Sequence, residues 1–426
     1  MMIKDFLVFF FHKPILVTLF SVQLLPYIVL AWSGLVACFG LLQKKKAPAG
    51  ITVYNKFAVI ISAHNEEKSL PALLQGINAE KYPRGYFHIF VLADHCTDRT
   101  VEVTKSFHNV TVLERNLETQ KKGKGALLYW GLQKIIDERL YNFDAFMFFD
   151  ADNVPKSDFM EQMNTSLNSG NEIIQGNRRA AGSFKSPITS WYAIYWVLYN
   201  FLFEYSREKL GFSPLVTGTG FVVKKDIIAK EGWNTTTITE DVEFTIQQCL
   251  KGRRASFNLS AIFYDEQPSN FGVMINQLSR WCTGSYQILP KYFKSWTEVF
   301  HEKPSKRLID ILNLLTLGPA NSIIFVCSIW INLVLLKNFP LTLIFWLVTI
   351  GLQVIATWFV TAYAMKQANI SMKKISSGFL TFPIFMLVYS VCSLVSLFFP
   401  QKSWKKIEHK GINIESLPQS GVEKTA

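Results

Sequence analysis

The sequence lacks several patterns that would assign the chain to a common class of protein. Its six cysteines, at positions 38, 96, 249, 282, 327 and 392, show no paired or metal-like spacing, which excludes a disulfide framework and a cysteine-bound metal site. We therefore expect reduced thiols that pack as small apolar side chains. No internal repeat or low-complexity segment is present, which excludes repeat architectures. No glycine-rich segment has the spacing of a P-loop.

Charge is absent from four long hydrophobic stretches, residues 14–43, 311–336, 338–365 and 375–401. Each exceeds the roughly 20 residues that a helix needs to cross a bilayer. The pattern predicts one N-terminal and about three C-terminal transmembrane helices around a globular domain. A transporter is disfavoured because it would be expected to carry ionisable residues inside its spans.

The first stretch predicts a signal anchor, because it is too long for a signal-peptide core and no small-residue cleavage site precedes Lys44. Lysines 44–46 follow it directly, so the positive-inside rule predicts a cytosolic globular domain and an N-terminus outside. We expect an anchor at 1–46, a cytosolic globular domain with interfacial helices at 47–306, a membrane region at 307–400 and a basic tail at 401–426.

The side of the C-terminus stays open at this point. Four spans from an outside N-terminus would leave the tail outside, whereas lysines 402, 405, 406 and 410 favour the inside. A fifth uncharged run, 186–203, is expected to be a helix in the globular domain or at the interface. If it crossed the membrane, acidic motifs before and after it would lie on opposite sides.

The net charge of +12 does not predict a nucleic-acid partner. The basic residues are scattered, and several flank the hydrophobic stretches, where attraction to anionic lipid headgroups explains them. Membrane lipids are therefore the expected partners of this charge.

The globular part alternates strand-like and helix-like runs. Strands are predicted at 57–62, 87–93, 110–113 and 145–149, with helices from Glu66, after Asp98 and over 125–140. This order predicts an α/β domain with a mostly parallel sheet that helices cover on both faces.

Acidic residues stand where these strands end. Asp94 ends the second strand, and Asp150 and Asp152 follow the fourth. In open α/β sheets the ligand crevice lies beyond the carboxyl ends of the strands, and paired hard oxygens suit a divalent cation that holds a phosphate. The alternative is that these residues only form turns or helix caps.

Two further segments could complete such a site. Lys124 lies in a run of lysines and glycines before a helix, which suits phosphate contact; a solvated loop is the alternative. Thr239, Glu240 and Asp241 follow Gly218-Thr219-Gly220 in the chain. A carboxylate there could be a general base, and a capping threonine with acidic first-turn residues is a compatible structural explanation.

The last motif is Gln277-Leu278-Ser279-Arg280-Trp281. On a helix, Gln277 shares a face with Arg280 or Trp281. The arginine fork suits phosphate oxygens, and the tryptophan offers a platform for a sugar ring. The alternative is an amphipathic helix at the membrane surface.

In this order and spacing, the motifs from Phe57 to Trp281 resemble the membrane-embedded processive family-2 glycosyltransferases, which include cellulose, chitin, hyaluronan and poly-N-acetylglucosamine synthases. The resemblance implies a GT-A nucleotide-sugar-binding fold. Segment 264–268 is similar to one common in bacterial members. Leu278 departs from the arginine that many synthases carry, and no counterpart of the cellulose synthase gating loop follows Trp281, so processive and single transfer both stay open.

The resemblance also implies roles for individual residues. Asp94 would contact the uridine of the donor, and Asp241 would be the catalytic base. Asp150 and Asp152 would hold Mg²⁺ or Mn²⁺, with Asp152 the more direct ligand. Substrate binding would further involve Lys124, Glu240, Gln277, Arg280 and Trp281.

The expected function is an inverting transfer from a UDP-sugar to a glycan acceptor hydroxyl, which gives a β linkage. The product would be an extracellular or cell-wall polysaccharide made at the plasma membrane, with accessory export proteins as further partners. The first alternative is a non-processive enzyme that forms a glycolipid on a lipid acceptor. A catalytically dead transporter or scaffold is disfavoured because every acidic position is still present.

Overall fold

A computed structural model describes residues 11–42, 53–116, 123–182, 184, 186–338, 342–401, 411–414 and 417. Three groups of basic residues that the sequence singled out lie outside the described residues: lysines 44–46, Lys121 with Lys122, and lysines 402, 405, 406 and 410.

Eight strands form one sheet. They are β1 (Phe57–Ala63), β2 (Phe87–Asp94), β3 (Val110–Arg115), β4 (Ala145–Asp150), β5 (Asn153–Pro155), β6 (Ile173–Ala180), β7 (Phe221–Lys224) and β8 (Ser256–Asp265). The four strands predicted from the sequence are confirmed to within one or two residues.

The sheet has the strand order β3-β2-β1-β4-β7-β6-β8-β5. The first four strands are mutually parallel, as the alternating pattern predicted. In the other half, β7 runs antiparallel to both of its neighbours, and β5 runs antiparallel to β8. The whole sheet is therefore mixed, and its parallel half is the part that the sequence predicted.

Helices cover both faces of the sheet. Helix α1 (Pro14–Leu42) precedes the globular part. The helices of the globular part are α2 (Leu70–Asn78), α3 (Thr100–Lys105), α4 (Lys124–Asp137), α5 (Phe159–Asn168), α6 (Pro187–Leu198), α7 (Ser206–Leu210), α8 (Lys225–Glu231) and α9 (Glu240–Leu250). The apolar faces of α2 and α5 pack on one side of the sheet and those of α4 and α8 on the other. Burial on both faces explains why the central strands are continuous apolar runs.

The helix expected from Glu66 begins four residues later, at Leu70. Asn65 has a positive φ of 58°, and its side-chain oxygen accepts a hydrogen bond from the amide of Thr97 at 2.6 Å. The chain therefore turns after β1 to join the loop that follows β2, and the helix starts only when that turn is complete.

The chain continues with α10 (Phe271–Glu302), α11 (Lys306–Asn338), α12 (Thr342–Gln367), α13 (Ser376–Phe379) and α14 (Phe382–Phe398). By length and composition, three described helices could cross a membrane: Pro14–Leu42, Lys306–Val334 and Leu347–Gln367. The fourth uncharged stretch is a pair of helices, Met372–Phe379 and Phe382–Phe398, bent by 52°. Pro383 in the first turn of α14 suits this restart of the helix.

The uncharged run 186–203 forms α6 and part of a π-helical segment, Tyr199–Tyr205. It is not among the described helices that are long and apolar enough to span a membrane. Trp191, Tyr192 and Trp196 are buried against α10 and α14. The expected helix is present, and its contacts join the sheet to the C-terminal helices.

Candidate functional site

A single cleft of about 1780 Å³ opens at the carboxyl ends of β1, β2 and β4. All nine site residues predicted from the sequence line it: Asp94, Lys124, Asp150, Asp152, Glu240, Asp241, Gln277, Arg280 and Trp281. Strand pairing explains the meeting of the first acidic groups, because Ser62 of β1 lies opposite Asp150 and Ala63 opposite Ala93. Parallel neighbours in this register end at one edge.

Asp94 is held by a residue that the sequence did not reveal. Arg115, at the end of β3, is paired with Asp94 in the register of the sheet and forms an ion pair with its carboxylate at 2.8 Å. His95 Nδ1 lies 2.7 Å from the same carboxylate. Burial would raise the pKa of Asp94, but the bonds from Arg115 and His95 outweigh it and hold the pKa below the ordinary value. Asp94 is therefore a fixed, ionised acceptor at the cleft wall.

Lys124 joins three parts of the site. Its ammonium bonds the Asp150 carboxylate, donates to the carbonyl oxygen of Gly218 at 2.8 Å and lies 3.9 Å from Glu240. Burial would lower the pKa of Lys124, whereas Asp150, Glu240 and Asp241 raise it above the ordinary value. The lysine stays charged and can offset the negative charge of a bound phosphate.

Backbone and side-chain bonds fix the loop that carries Asp150 and Asp152. The amide of Asp150 donates to Thr219 Oγ1 at 2.9 Å and to Asn153 Oδ1 at 3.1 Å. Neither Asn153 nor Thr219 was predicted from the sequence to hold this loop. These bonds fix the backbone at the end of β4, from which Asp150 and Asp152 extend into the cleft.

Glu240 and Asp241 begin α9. Thr239 occupies the N-cap position but makes no capping hydrogen bond with its side chain, so the capping explanation from the sequence is wrong for this threonine. Its side chain instead fills the space above Gly284 of α10, where an added Cβ would come within 2.1 Å of Thr239 Oγ1. The close approach of α10 thereby holds the start of α9 in place.

The two carboxylates of α9 are difficult to ionise together. Burial raises the pKa of Glu240, and the neighbouring Asp241 raises it further, while Lys124 opposes both. Burial also raises the pKa of Asp241. The amide of Val242, which donates to Asp241 Oδ1 at 2.9 Å, and the cations Lys124 and Arg280 lower this pKa but do not cancel the effect of burial. A carboxylate with a raised pKa beside two cations is suited to accept a proton.

Trp281 belongs to an aromatic cluster at the opposite wall of the cleft. Its ring is stacked with Tyr195 at a centroid distance of 5.9 Å and lies edge-on to Trp196 at 5.8 Å. Leu278 is fully buried in the same hydrophobic cluster, beneath Trp281, and does not line the cleft. A longer arginine at that position would point into packed side chains, so this departure from the synthase motif leaves the cleft unchanged.

The remaining members of this wall are polar. Gln277 and Arg280 lie on α10 beside Trp281. The Oε1 atom of Gln277 is buried and has no hydrogen-bond partner within the described part of the chain. Burying an unsatisfied acceptor costs free energy, which a donor group on a bound substrate would offset. The membrane-surface explanation of this helix does not account for a polar face directed into the cleft.

The donor atoms fit a divalent cation that a substrate helps to bind. Asp150 and Asp152 supply hard oxygens, and among the described residues no group of three or more His, Cys, Asp and Glu gathers as a metal site made by protein alone. Mg²⁺ and Mn²⁺ sites of this kind take further ligands from phosphates and water. Asp150 also bonds Lys124, and Asp152 Oδ1 accepts a hydrogen bond from Asn153 Nδ2 at 3.4 Å.

A family model described as "Glycosyltransferase like family 2" matches residues 55–284. The chain is 26% identical over 261 residues to a probable glycosyltransferase, YdaM, of Bacillus subtilis (strain 168), covering 60% of each protein. It is 23% identical over 266 residues to a beta-monoglucosyldiacylglycerol synthase of Nostoc sp. (strain PCC 7120), covering 59% of this chain and 52% of that one.

The chain is also 24% identical over 258 residues to a poly-beta-1,6-N-acetyl-D-glucosamine synthase of Staphylococcus aureus (strain COL), covering 59% of this chain and 60% of that one. Between 52% and 60% of the lengths of these three relatives is matched. Among solved structures, the mannosyltransferase PcManGT from Pyrobaculum calidifontis with GDP-Man and Mn²⁺ aligns with a TM-score of 0.60 at 16% identity, covering 91% of this chain and 98% of that one. This likeness concerns the fold.

Proposed function

Because the chain belongs to glycosyltransferase-like family 2 and is a glycosyltransferase of GT-A-like fold, we propose that it transfers a sugar from a UDP-sugar to a hydroxyl group of a glycan or lipid acceptor. One observation carries the proposal: the acidic loop after β4, the carboxylates of α9 and the Arg280–Trp281 face of α10 line the same cleft. Each group then has a part in one reaction.

The donor would bind along the strand ends. Asp94 is positioned to accept hydrogen bonds from the uridine, since Arg115 holds its carboxylate ionised. Lys124 and Arg280 would offset the charge of the diphosphate, as fixed cations stabilise a departing anion. Gln277 would accept a hydrogen bond from a substrate hydroxyl.

The metal would be held by Asp152 and, to a lesser extent, by Asp150. A bound Mg²⁺ or Mn²⁺ supplies Lewis-acid stabilisation of phosphate oxygens. The protein itself contributes the position of the loop, because Asn153 and Thr219 accept hydrogen bonds from the amide of Asp150.

Asp241 would act as the base. Its carboxylate takes the proton of the acceptor hydroxyl, whose oxygen forms a bond to the anomeric carbon as the bond from that carbon to UDP breaks. Attack from the side opposite UDP inverts the configuration and gives a β linkage. Trp281, supported by Tyr195 and Trp196, would stack the acceptor and orient it for attack.

For the product, we propose a polysaccharide exported at the plasma membrane, with accessory export proteins, and a glycolipid as the second candidate. The observation in favour of the glycolipid is the sparse packing of one candidate membrane helix. Only 11% of the apolar window in Leu347–Gln367 is buried among the described residues, so this helix contributes little to any passage for a growing polymer within one chain. A lipid acceptor requires no such passage.

We infer the membrane topology from the described tail residues. The amide of Gly411 donates to Glu266 Oε2 at 3.0 Å, and Leu417 is buried against Val154 and Tyr264 of the sheet. Because these residues contact the globular domain, the tail lies on the same side of the membrane as that domain. An even number of crossings must then separate Glu302 from Gly411.

Helices α11 and α12 would supply those two crossings, and α14 would lie at the interface. Both ends of α14 are tied to the globular side: Trp191 Nε1 donates to Thr381 Oγ1 at 3.0 Å, and the amide of Gln401 donates to Thr283 Oγ1 at 3.1 Å. We propose a cytosolic domain at 47–306, an anchor at 1–46 with its N-terminus outside, a membrane region at 307–400 and a cytosolic tail at 401–426.

A donor screen tests the function. The purified chain in lipid nanodiscs would meet each UDP-sugar with Mg²⁺ or Mn²⁺, in the presence of diacylglycerol or a β-linked oligosaccharide, and UDP release would be measured. Release with one or two donors is expected. Chain length then separates the candidates, because a polymer stays at high molecular mass and a glycolipid enters the organic phase. Absence of UDP release with all donors, from protein that binds UDP, would contradict the proposed reaction.

A further inference from the structure

Asp265, the last residue of β8, is a buried carboxylate with two sets of partners. Only 1% of its surface is exposed. One of its oxygens accepts a hydrogen bond from Asn153, in the acidic loop after β4. The other accepts one from Arg178, which packs against the aromatic cluster around Trp281. Burial of an ionised carboxylate is costly unless it is paired and hydrogen-bonded, so the number and direction of its bonds call for an explanation.

The first set of partners leads to the acidic loop. Asp265 Oδ1 accepts a hydrogen bond from Asn153 Nδ2 at 2.7 Å. Asn153 Oδ1 in turn accepts a hydrogen bond from the amide of Asp150 at 3.1 Å. The carboxylate thus fixes the orientation of the Asn153 amide group, and that group fixes the start of the Asp150–Asp152 turn. Asp265 reaches the proposed metal ligands through one intermediate side chain.

The second set leads to the acceptor wall. Asp265 Oδ2 accepts from Arg178 Nε at 2.9 Å and is also bonded by Gln267. Gln267 Oε1 accepts the indole N–H of Trp196 at 3.1 Å, and the Arg178 guanidinium lies 4.1 Å from the centre of the Trp196 ring. Both partners of the carboxylate therefore hold the same indole in place.

Trp196 in turn contacts Trp281, the residue proposed to stack against the acceptor. Its ring meets Trp281 edge to face at 5.8 Å, which is within the range of favourable aromatic pairs. A shift of Trp196 would change the tilt of Trp281. The chain of contacts from Asp150 to Trp281 is unbroken and passes through a single carboxylate.

We propose that Asp265 is a positioning residue that sets the acidic donor loop and the Trp281 acceptor wall in a fixed relation to each other. The inference rests on the proposed transfer, because only a reaction between two bound substrates requires both halves to be held together. The Arg178–Asp265 ion pair also contributes to the electrostatics of the site, because Arg178 lines the cleft and interacts with the negative charges of Asp152 and Asp150. Outer partners that orient metal ligands typically change affinity or activity by about 10- to 100-fold when removed.

Variants of the two branches distinguish positioning from general stability. Asn153→Ala cuts the donor branch and Gln267→Leu removes the hydrogen-bonded arm of the acceptor branch, and Arg178 remains paired with Asp265 in both variants. Asp265→Asn removes the charge that both share. Glu208→Gln is the control, because it weakens a half-buried ion pair with Arg254, outside the residues that line the cleft.

Two readouts are needed. The first is the Mn²⁺ concentration that half-saturates UDP binding, measured by calorimetry without turnover. The second is the KM for diacylglycerol in nanodiscs or for soluble chitotetraose, whichever the wild type uses. We expect Asn153→Ala to raise the first value by about tenfold or more and to leave the second nearly unchanged. Gln267→Leu should do the reverse, Asp265→Asn should raise both, and Glu208→Gln should change neither.

The inference is overturned if the two branch variants, folded with the Tm of the wild type, raise both values equally or change neither. Such a result leaves the proposed function intact, since the wild type would still bind UDP and transfer sugar. Loss of UDP binding and transfer in the wild type would count against the function itself. If Asp265→Asn does not fold, the two branch variants decide the matter alone.

Discussion

A Cβ atom added to Gly218 would lie 3.0 Å from Oδ2 of Asp241, tighter than most real contacts of a Cβ atom. The same glycine has a φ of +82° and offers its carbonyl oxygen to Lys124 at 2.8 Å. The backbone there passes between the lysine that holds Asp150 and the proposed base, so its lack of a side chain is a requirement of the site.

Gly218→Ala should therefore impair transfer and stability together. The left-handed backbone conformation costs an alanine about 1–2 kcal/mol, and the methyl group would push Asp241 away from its position. Turnover and Tm are the measurements. Gly170→Ala is the matched control, because Gly170 has a φ of +86° but open space around its Cβ position. It should lower Tm similarly and keep full turnover; equal activity loss in both variants would contradict the crowding at Asp241.

Asp241→Asn should lower turnover by about 100- to 10,000-fold, the range that a general base contributes. UDP binding should persist, since the amide keeps the shape of the side chain. The measurement is single-turnover transfer with the donor identified by the screen. Asp226→Asn makes the same chemical change at an exposed first-turn position of α8 and should have no effect. Wild-type turnover in Asp241→Asn would remove this residue from the role of base.

Lys124→Gln should move the acid limb of the kcat/KM profile to higher pH. Asp241 must be deprotonated to act as a base, and burial already raises its pKa. Lys124 lowers that pKa, so its removal lets the pKa rise and activity is lost earlier as the pH falls. Lys134→Gln, at a half-exposed position of the same helix outside the residues that line the cleft, removes the ion pair with Glu138 and is the control. An acid limb that stays in place or moves to lower pH would contradict the coupling.

Asp152→Asn should weaken the binding of the metal. We expect the Mn²⁺ concentration needed for half-maximal UDP release to rise by at least about tenfold, because one hard anionic ligand is lost. Excess EDTA should abolish release by the wild type, and added Mn²⁺ should restore it. Asp137→Asn, an exposed change at the end of α4, should leave the titration unchanged. Release that survives EDTA would exclude the metal.

Reporter fusions test the topology. A reporter that fluoresces only in the cytosol should be active when fused after Ala426, because described tail residues contact the globular domain. The same reporter joined after Asn338, between α11 and α12, should be silent there, and a reporter active only outside should show the reverse. The opposite result at the C-terminus would mean that α14 crosses the membrane.

The sequence predicted the parts of the site that local pattern encodes. A strand that is buried on both faces must be a continuous apolar run, so β1, β2 and β4 could be located, and Asp150 was recognisable as the residue at the end of such a run. Lys124, Asp241 and Trp281 were found because their neighbours form motifs of fixed spacing. Partners far along the chain were missed. Arg115 reaches Asp94 only through the register of β2 and β3, and no local signal reports that pairing.

The second half of the sheet was missed for a related reason. Strands β6, β7 and β8 are short or interrupted, and β6 ends in the polar residues Arg178 and Arg179. Antiparallel pairing of β7 with β4 depends on contacts between segments that are distant in the chain. Asp265 was noticed only within a similar segment of related sequences, since its two-sided bonding exists only after β8 has joined the sheet.

The sequence by itself determined the membrane stretches, the parallel core and the acidic motifs, because each depends on the hydrophobicity or order of neighbouring residues. Tertiary structure alone decided which groups share a charge environment and that described tail residues contact the globular domain. The bond of Lys124 to Asp150, the raised pKa of Asp241 and the contact of Gly411 with Glu266 join segments separated by many residues. Burial and electrostatics act through space, so they become defined only when the fold brings those segments together.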